Sequence, residues 1–291
     1  MCKTLDNRKF RSLIGWGLLG FLLITSVLYY WGRPLPINRR KEVDPCVVYY
    51  RKVHFLPRLF IAHIVTVDLT CQNIGLLVTP PDRTKGPEPL EARTTSEFAE
   101  KFATQVAING DAFSPWWSEG LFNYFPHKED NVTSLGFSAS LGKTYGGRDG
   151  ITAYFSRQNS ASFVEPKGAI YNAISGRGWL LKDRQVIEDL NDQYVAPRTS
   201  LGLDASGSKL ILIVVDGRQP LYSHGVTIKE MADIMLQYGG ENAINLDGGG
   251  SSTLVLQEPK TGEQVVMNSP IDRYIPGQER YVANHLGVFI R

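Results

Sequence analysis

Apolar and polar positions along the chain fall into three patterns. The first is a single uncharged run from Ser12 to Gly32, rich in Leu, Ile and Phe and closed by Tyr29, Tyr30 and Trp31. At 1.5 Å per helical residue, such a run spans roughly 30 Å, the thickness of a bilayer's hydrocarbon. It predicts a transmembrane helix at 12–32. The second pattern, from Cys46 onward, is a series of short β-branched and aromatic runs stopped by Gly, Pro, Asn or Asp: 47–50, 59–69, 76–79, 105–108, 150–155, 169–174, 209–215 and 243–246. The run at 209–215 is apolar without alternation, which predicts a central strand covered on both faces. The third pattern has helical spacing. Thr94-Thr95-Ser96-Glu97 reads as a capping box opening a short helix. Residues 227–238 place Ile228, Met231, Ile234, Met235 and Tyr238 on one face before Gly239 and Gly240 end the helix. The expected fold is α+β, a strand-rich mixed sheet core with a few flanking helices, preceded by one N-terminal transmembrane helix. The expected organisation is a tail at 1–11, a signal anchor at 12–32, a linker at 33–44 and one catalytic domain at 45–291.

Composition narrows this picture. With 291 residues and 43% apolar content the chain has ample core-forming material. No small-residue cleavage site follows Leu28, which favours an uncleaved anchor in contact with the lipid bilayer over a cleaved signal peptide. Lys3, Arg8, Lys9 and Arg11 on one flank match Arg33, Arg39, Arg40 and Lys41 on the other, so charge does not set the orientation. Net charge is +2 over the whole chain and the basic excess sits before the anchor, which leaves no electrostatic footprint for a nucleic-acid partner. Cys46 and Cys71 either pair in an exported domain or remain buried thiols. Asn131-Val132-Thr133 fits a glycosylation triplet. His54 and His63 have no metal-ligand partner at short spacing, so neither a metal site nor a cofactor is expected.

Candidate chemistry gathers where apolar strands end. Asn245-Leu246-Asp247-Gly248-Gly249-Gly250-Ser251-Ser252-Thr253 joins a carboxylate to three glycines and three hydroxyls. Glycines permit close backbone approach and suggest an anion-binding nest, with Asp247 at its rim. Asn109-Gly110-Asp111 ends another strand and runs into Trp116, Trp117, Phe122, Tyr124 and Phe125, a density of aromatics that fits a functional loop or lid over a sugar. Arg198, with Ser200, lies in the stretch 197–204 that follows a loop-rich passage, and Asp216 and Arg218 follow the strand at 209–215. Ends on one side of a sheet converge, so these groups form one pocket. Arginines and a nest suit phosphate. Paired carboxylates suit a glycosidic bond. Glu230 fits both the second half of a capping box with Thr227 and a catalytic acid. His224 is a further candidate acid, and Ser251 and Ser252 lack the Gly-x-Ser-x-Gly setting of a serine hydrolase.

The motifs Arg198-Thr199-Ser200, Val215-Asp216-Gly217-Arg218, Ser223 with Gly225-Val226-Thr227 and Glu230, Asn245 to Thr253, and Glu279-Arg280-Tyr281-Val282-Ala283-Asn284 occur in an order that resembles the phosphodiester glycosidase family. The resemblance covers 45–291 and includes Asn109-Gly110-Asp111. Tyr281 departs from it, standing where the family would place proline. The resemblance implies hydrolysis at the anomeric carbon of a sugar-1-phosphodiester, releasing a sugar and a phosphomonoester. It implies Asp247 as the main catalytic carboxylate, with Asp216 or Asp111 as the second, and Arg198 and Arg218 on the phosphodiester. Asn109, Gly110, Ser200, Ser223, Asn245, Gly248, Gly249, Gly250, Ser251 and Ser252 complete the expected substrate-binding set. Lacking a cysteine-rich extension, the sequence is expected to act on envelope or extracellular glycopolymers as a single-pass bacterial protein with its domain outside the cytoplasm. Two other classes remain at this stage: a non-catalytic module binding phosphate-bearing glycopolymers, and a phosphodiesterase cutting the P–O bond.

Overall fold

The computed structural model describes residues 7–83, 86–163 and 165–290, so the expected tail at 1–11 lies partly outside the described residues. The largest sheet has eight strands, in the order Arg39–Asp44, Val47–His54, Phe60–Asp68, Lys209–Val215, Arg198–Leu203, Asn242–Asn245, Gly178–Lys182 and Gln185–Val186. A five-stranded sheet runs Gln264–Val266, Leu254–Gln257, Val106–Asn109, His285–Ile290 and Ile74–Val78. A second five-stranded sheet is ordered Lys143–Gly146, Phe137–Ser140, Asn172–Gly176, Ile151–Phe155 and Ala161–Ser162.

One core joins all three sheets. Val65, Val67, Leu210, Leu212, Val214, Leu201 and Ile244 of the eight-stranded sheet meet Val106, Ile108, Leu254, Leu286 and Val288 of the first five-stranded sheet and Ala153, Phe155 and Ile174 of the second. The alternate residues Ile211, Ile213 and Val215 pack instead against Met231, Ile234 and Met235 of the helix Ile228–Gln237. This is why 209–215 reads as unbroken apolar sequence: both faces of the strand are covered, one by a sheet and one by a helix. Both predicted capping boxes form. Thr227 accepts from Glu230 N–H while the Glu230 side chain accepts from Thr227 N–H, and Thr94 and Glu97 do the same for Thr95–Phe102. Cys46 and Cys71 form a disulfide that closes a separation of 25 residues, a cross-link worth about 3 kcal/mol on chain-entropy grounds.

Two expectations are corrected. The fold is mostly β rather than α+β, and its sheets are not mixed: each pairing between named strands is antiparallel. Within 131–186 the predicted strands at 150–155 and 169–174 form as Ile151–Phe155 and Asn172–Gly176, and further short strands at 131–146 and 178–186, not predicted, join them. The transmembrane anchor at 12–32 is also not supported. A helix forms over Asn7–Trp31, but among the described residues no helix is long and apolar enough to cross a membrane. Gly15, Gly17, Gly20 and Ser26 interrupt its apolar surface, and Thr25 turns its hydroxyl back to the Phe21 and Leu22 carbonyls. The expected contact with a lipid bilayer and the membrane-anchored localisation lose their basis with it. Arg39–Asp44, inside the expected linker, is an edge strand paired to Val47–His54.

Candidate active site

The strand ends of the three sheets meet at Asn109 and Asp247. Val106–Asn109 and Asn242–Asn245 end side by side, and Asn109 braces them with its whole amide. Its Nδ2 donates to the Asp247 carbonyl at 2.8 Å, and its Oδ1 accepts from Thr199 Oγ1 at 2.8 Å and from Thr253 N–H at 3.1 Å. Asn109 is fully buried with these bonds made, so it positions the loop rather than facing a ligand. The Asp247 N–H donates to the Gly110 carbonyl at 3.0 Å. A Cβ on Gly110 would lie 2.4 Å from Asn284 Oδ1, so only glycine permits this approach.

Two carboxylates result. Asp247 lines a cavity of about 520 Å³ together with Ala112, Phe113, Ser114, Trp116, Leu135, Arg177 and Arg280. Ser251 Oγ donates to its Oδ2 at 2.6 Å. Burial raises the Asp247 pKa, against the opposing pull of Ser251, Arg280 and Arg177. Asp111 lies deeper, its oxygens accepting from Ala112 N–H at 2.7 Å and Gly136 N–H at 2.6 Å. Burial pushes its pKa up to about 7, the two N–H groups oppose the rise, and the nearby Asp247 charge adds to it. Like charges in one desolvated site disfavour double ionisation, so this pair holds a proton near neutral pH.

Within the glycine triplet, Gly249 N–H donates to the Pro197 carbonyl, and the following Ser251 and Ser252 N–H groups donate to the Gly248 and Gly249 carbonyls. The missing side chains also make room for arginines. A Cβ on Gly249 would lie 3.0 Å from an Arg218 guanidinium nitrogen, and one on Gly250 would lie 2.4 Å from Arg280 Nη2. A Cβ on Gly248 would instead lie 3.0 Å from the Pro197 carbonyl oxygen. Arg280 is fixed by Asp272 at 2.7 Å and by Ser251 Oγ at 3.2 Å. Arg198 donates to the Tyr194 carbonyl at 2.9 Å, and burial, then the Arg218 charge, lower its pKa. Among the described residues Arg177, Arg198 and Arg218 form no ion pair. A row of guanidinium groups without acidic partners, ending at Asp247, is suited to an anion.

Other expected residues stand outside this cavity. Asp216 is fully buried, accepting from Ser269 N–H at 2.6 Å and Asn268 Nδ2 at 3.1 Å, and lies 3.2 Å from His63 Nε2. It braces the 268–269 segment, and Asn268 in turn holds the Ser252 carbonyl at 3.0 Å. Glu230 caps its helix and pairs with Arg58. Ser223 donates to the Asp216 carbonyl and accepts from Ile61 N–H. His224 is an exposed loop residue whose backbone carbonyl holds Arg218 N–H. Ser200 and Asn245 are register partners, and Ser200 Oγ, Asn245 Oδ1 and Ser252 Oγ are buried without a hydrogen-bond partner. Arg177 and Leu135 were not singled out from sequence, and Arg280 was noted only within a motif. Arg177 follows the strand Asn172–Gly176 directly, the same strand-end signal that marked Asp111.

Comparison with known proteins agrees with this geometry. The family model for phosphodiester glycosidase matches residues 103–289. Human N-acetylglucosamine-1-phosphodiester alpha-N-acetylglucosaminidase is 27% identical over 226 residues, 70% of this chain and 41% of the human protein. The SPbeta prophage-derived uncharacterized protein YomE of Bacillus subtilis (strain 168) is 30% identical over 175 residues, 56% of this chain and 26% of that protein. The chain therefore spans well under half the length of these relatives. Among solved structures, the zebrafish N-acetylglucosamine-1-phosphodiester alpha-N-acetylglucosaminidase catalytic domain auto-inhibited by pro-peptide is similar in fold, with a TM-score of 0.60 at 22% identity, covering 89% of this chain and 85% of that one. A hypothetical protein from Synechocystis shares the fold with a TM-score of 0.57 at 17% identity, covering 88% of this chain and 64% of that one.

Proposed function

The chain belongs to the phosphodiester glycosidase family, and on that premise we propose that it hydrolyses the glycosidic C–O bond of a sugar-1-phosphodiester, with N-acetylglucosamine the first sugar to try. The observation that carries this reading is that Asp247, Arg177 and Arg280 line one cavity, with Asp111 electrostatically coupled behind Asp247. The sugar enters between Trp116 and Leu135, and the phosphate meets Arg177 and Arg280, with Arg218 and Arg198 continuing the positive row. As the C–O bond lengthens, negative charge moves onto the phosphate oxygen and positive charge onto the anomeric carbon. The guanidinium groups stabilise the first and the Asp247 carboxylate the second. A phosphate held by arginines leaves without being protonated, so one ionised carboxylate at the anomeric carbon meets the main chemical need. Water adds at that carbon and gives up one proton to solvent, and the products are a free sugar and a phosphomonoester. Asp111, which feels the charge of Asp247, is the second carboxylate of the site.

Measuring sugar release from N-acetylglucosamine-1-phosphate diesters tests the reading. Wild-type protein is expected to release the sugar. Asp247→Asn is expected to lower kcat by about 10³-fold or more while leaving substrate binding in place. Wild-type protein that binds such diesters without releasing sugar, and whose affinity alone changes in Asp247→Asn, would instead be a glycopolymer-binding module.

A further inference from the structure

Asp247 lines the cavity, but the segment that follows it carries the bonds that aim its carboxylate. Ser251 is buried, and its hydroxyl donates to Asp247 Oδ2 at 2.6 Å while accepting from Arg280 Nη1 at 3.2 Å. The single hydroxyl proton is thereby committed, and the serine joins the carboxylate to a guanidinium of the same cavity. The next three residues are gripped one by one. Asn268 Nδ2 donates to the Ser252 carbonyl at 3.0 Å, Asn109 Oδ1 accepts from Thr253 N–H at 3.1 Å, and Asn268 Oδ1 accepts from Leu254 N–H at 2.8 Å. Asn268 is itself oriented by Asp216, whose Oδ1 accepts from its Nδ2 at 3.1 Å. Asp216 is fully buried against Ser269 N–H and His63.

The Asn268 side chain bonds to Asp216, Ser252 and Leu254, none of which lines the cavity. Its influence reaches Asp247 along the chain, from Ser252 to Ser251 and through the Ser251 hydroxyl. The turn alone holds that hydroxyl weakly, because Ser251 N–H and Ser252 N–H make long bonds of 3.3 Å to Gly248 and Gly249. A grip one residue further on therefore decides where the hydroxyl falls. An O–H donor at 2.6 Å from a carboxylate is of the short, charge-assisted kind, so a small displacement weakens it greatly. The other charged groups facing Asp247 are Asp111 after Val106–Asn109, Arg177 after Asn172–Gly176, and Arg280. Burial raises the Asp247 pKa, and the Ser251 hydroxyl is the largest influence opposing that rise.

We propose that Asn268 is a positioning residue for the reaction, acting through Ser251 to keep the Asp247 carboxylate aimed into the cavity. Asp216 is the buried anchor that orients the Asn268 amide. This rests on the glycosidase reading and adds to it a residue outside the cavity.

The test is a double-mutant cycle of Asn268→Ala and Ser251→Ala, read by kcat and KM on an N-acetylglucosamine-1-phosphate diester across pH. Asn268→Ser is run beside Asn268→Ala and replaces it in the cycle should the alanine variant not fold. Each single variant is expected to lower kcat about tenfold, the scale of one hydrogen bond to a charged group, with KM within about twofold of wild type. Each is also expected to move the acid limb of kcat to higher pH, because a carboxylate that loses a donor protonates more readily. With Ser251 already replaced, changing Asn268 is expected to alter kcat by less than about twofold. An equal loss from Asn268→Ala in both backgrounds, no loss in either, or an unmoved acid limb would overturn the proposal. Wild-type protein that releases no sugar would overturn the glycosidase reading alone. The positioning is then read from ¹³C titration of the Asp247 carboxyl, identified by its absence in Asp247→Asn. An upward move in both Ser251→Ala and Asn268→Ala would sustain it, and no move in Asn268→Ala would overturn it.

Discussion

Asp111 and Asp216 show how far a single residue can be read. Each follows an apolar strand, and Asp111 sits in Asn-Gly-Asp while Asp216 sits in Asp-Gly-Arg, so the sequence offers them as equals. Only the packing separates them: Asp111 feels the charge of Asp247 beside the cavity, whereas Asp216 serves His63, Asn268 and Ser269 between the sheets. The raised Asp111 pKa has a measurable consequence. Its carboxyl keeps a proton in the folded state up to about pH 7, while in the unfolded chain it ionises near its ordinary value of 3.8. The resulting stabilisation is complete at acid pH and is lost as pH rises from about 4 through 7. In Asp111→Asn this dependence disappears. The stability difference between wild type and the variant, measured by urea unfolding at pH 4 and pH 8, is expected to shift in the variant's favour at the higher pH by a few kcal/mol. A difference independent of pH would contradict the assignment.

At the scale of elements, the Gly248–Gly250 turn was visible as a site, but the reason for its glycines was not. Sequence suggests free backbone donors; the fold bonds the Gly249 N–H to the Pro197 carbonyl and gives the vacated Cβ space at Gly249 and Gly250 to Arg218 and Arg280. That difference makes a prediction. Gly250→Ala puts a methyl group 2.4 Å from Arg280 Nη2 and 2.9 Å from Asp272 Oδ1, and so displaces a guanidinium that lines the cavity. The expected result is a loss of kcat/KM of about tenfold or more, the scale of one charge-assisted contact, measured on an N-acetylglucosamine-1-phosphate diester. Unchanged kinetics in a folded Gly250→Ala protein would return the turn to a donor role. The arginines themselves are only partly legible. Arg218 follows the apolar run at 209–215 and Arg198 sits in Arg-Thr-Ser, whereas Arg177 lies between two glycines, three residues past the run at 169–174 that the sequence marks.

Across the whole molecule, the sequence carried the central strand at 209–215, both capping boxes and the meeting of strand ends, because each depends on local spacing. It did not carry the all-antiparallel pairing or the third sheet, which arise from contacts distant in sequence, such as Asp111 with Gly136 and Ala139 with Ala173. The N-terminal run is a further departure: it forms the helix Asn7–Trp31, but among the described residues no helix is long and apolar enough to cross a membrane. What the three sheets achieve together is one cavity lined by Asp247, Arg177 and Arg280, an arrangement suited to C–O rather than P–O cleavage. Hydrolysis of an N-acetylglucosamine-1-phosphate diester in ¹⁸O-water, followed by mass analysis, tests this most directly. The account predicts label in the released sugar and none in the phosphomonoester; label in a phosphate group, with sugar-1-phosphate as the product, would contradict it.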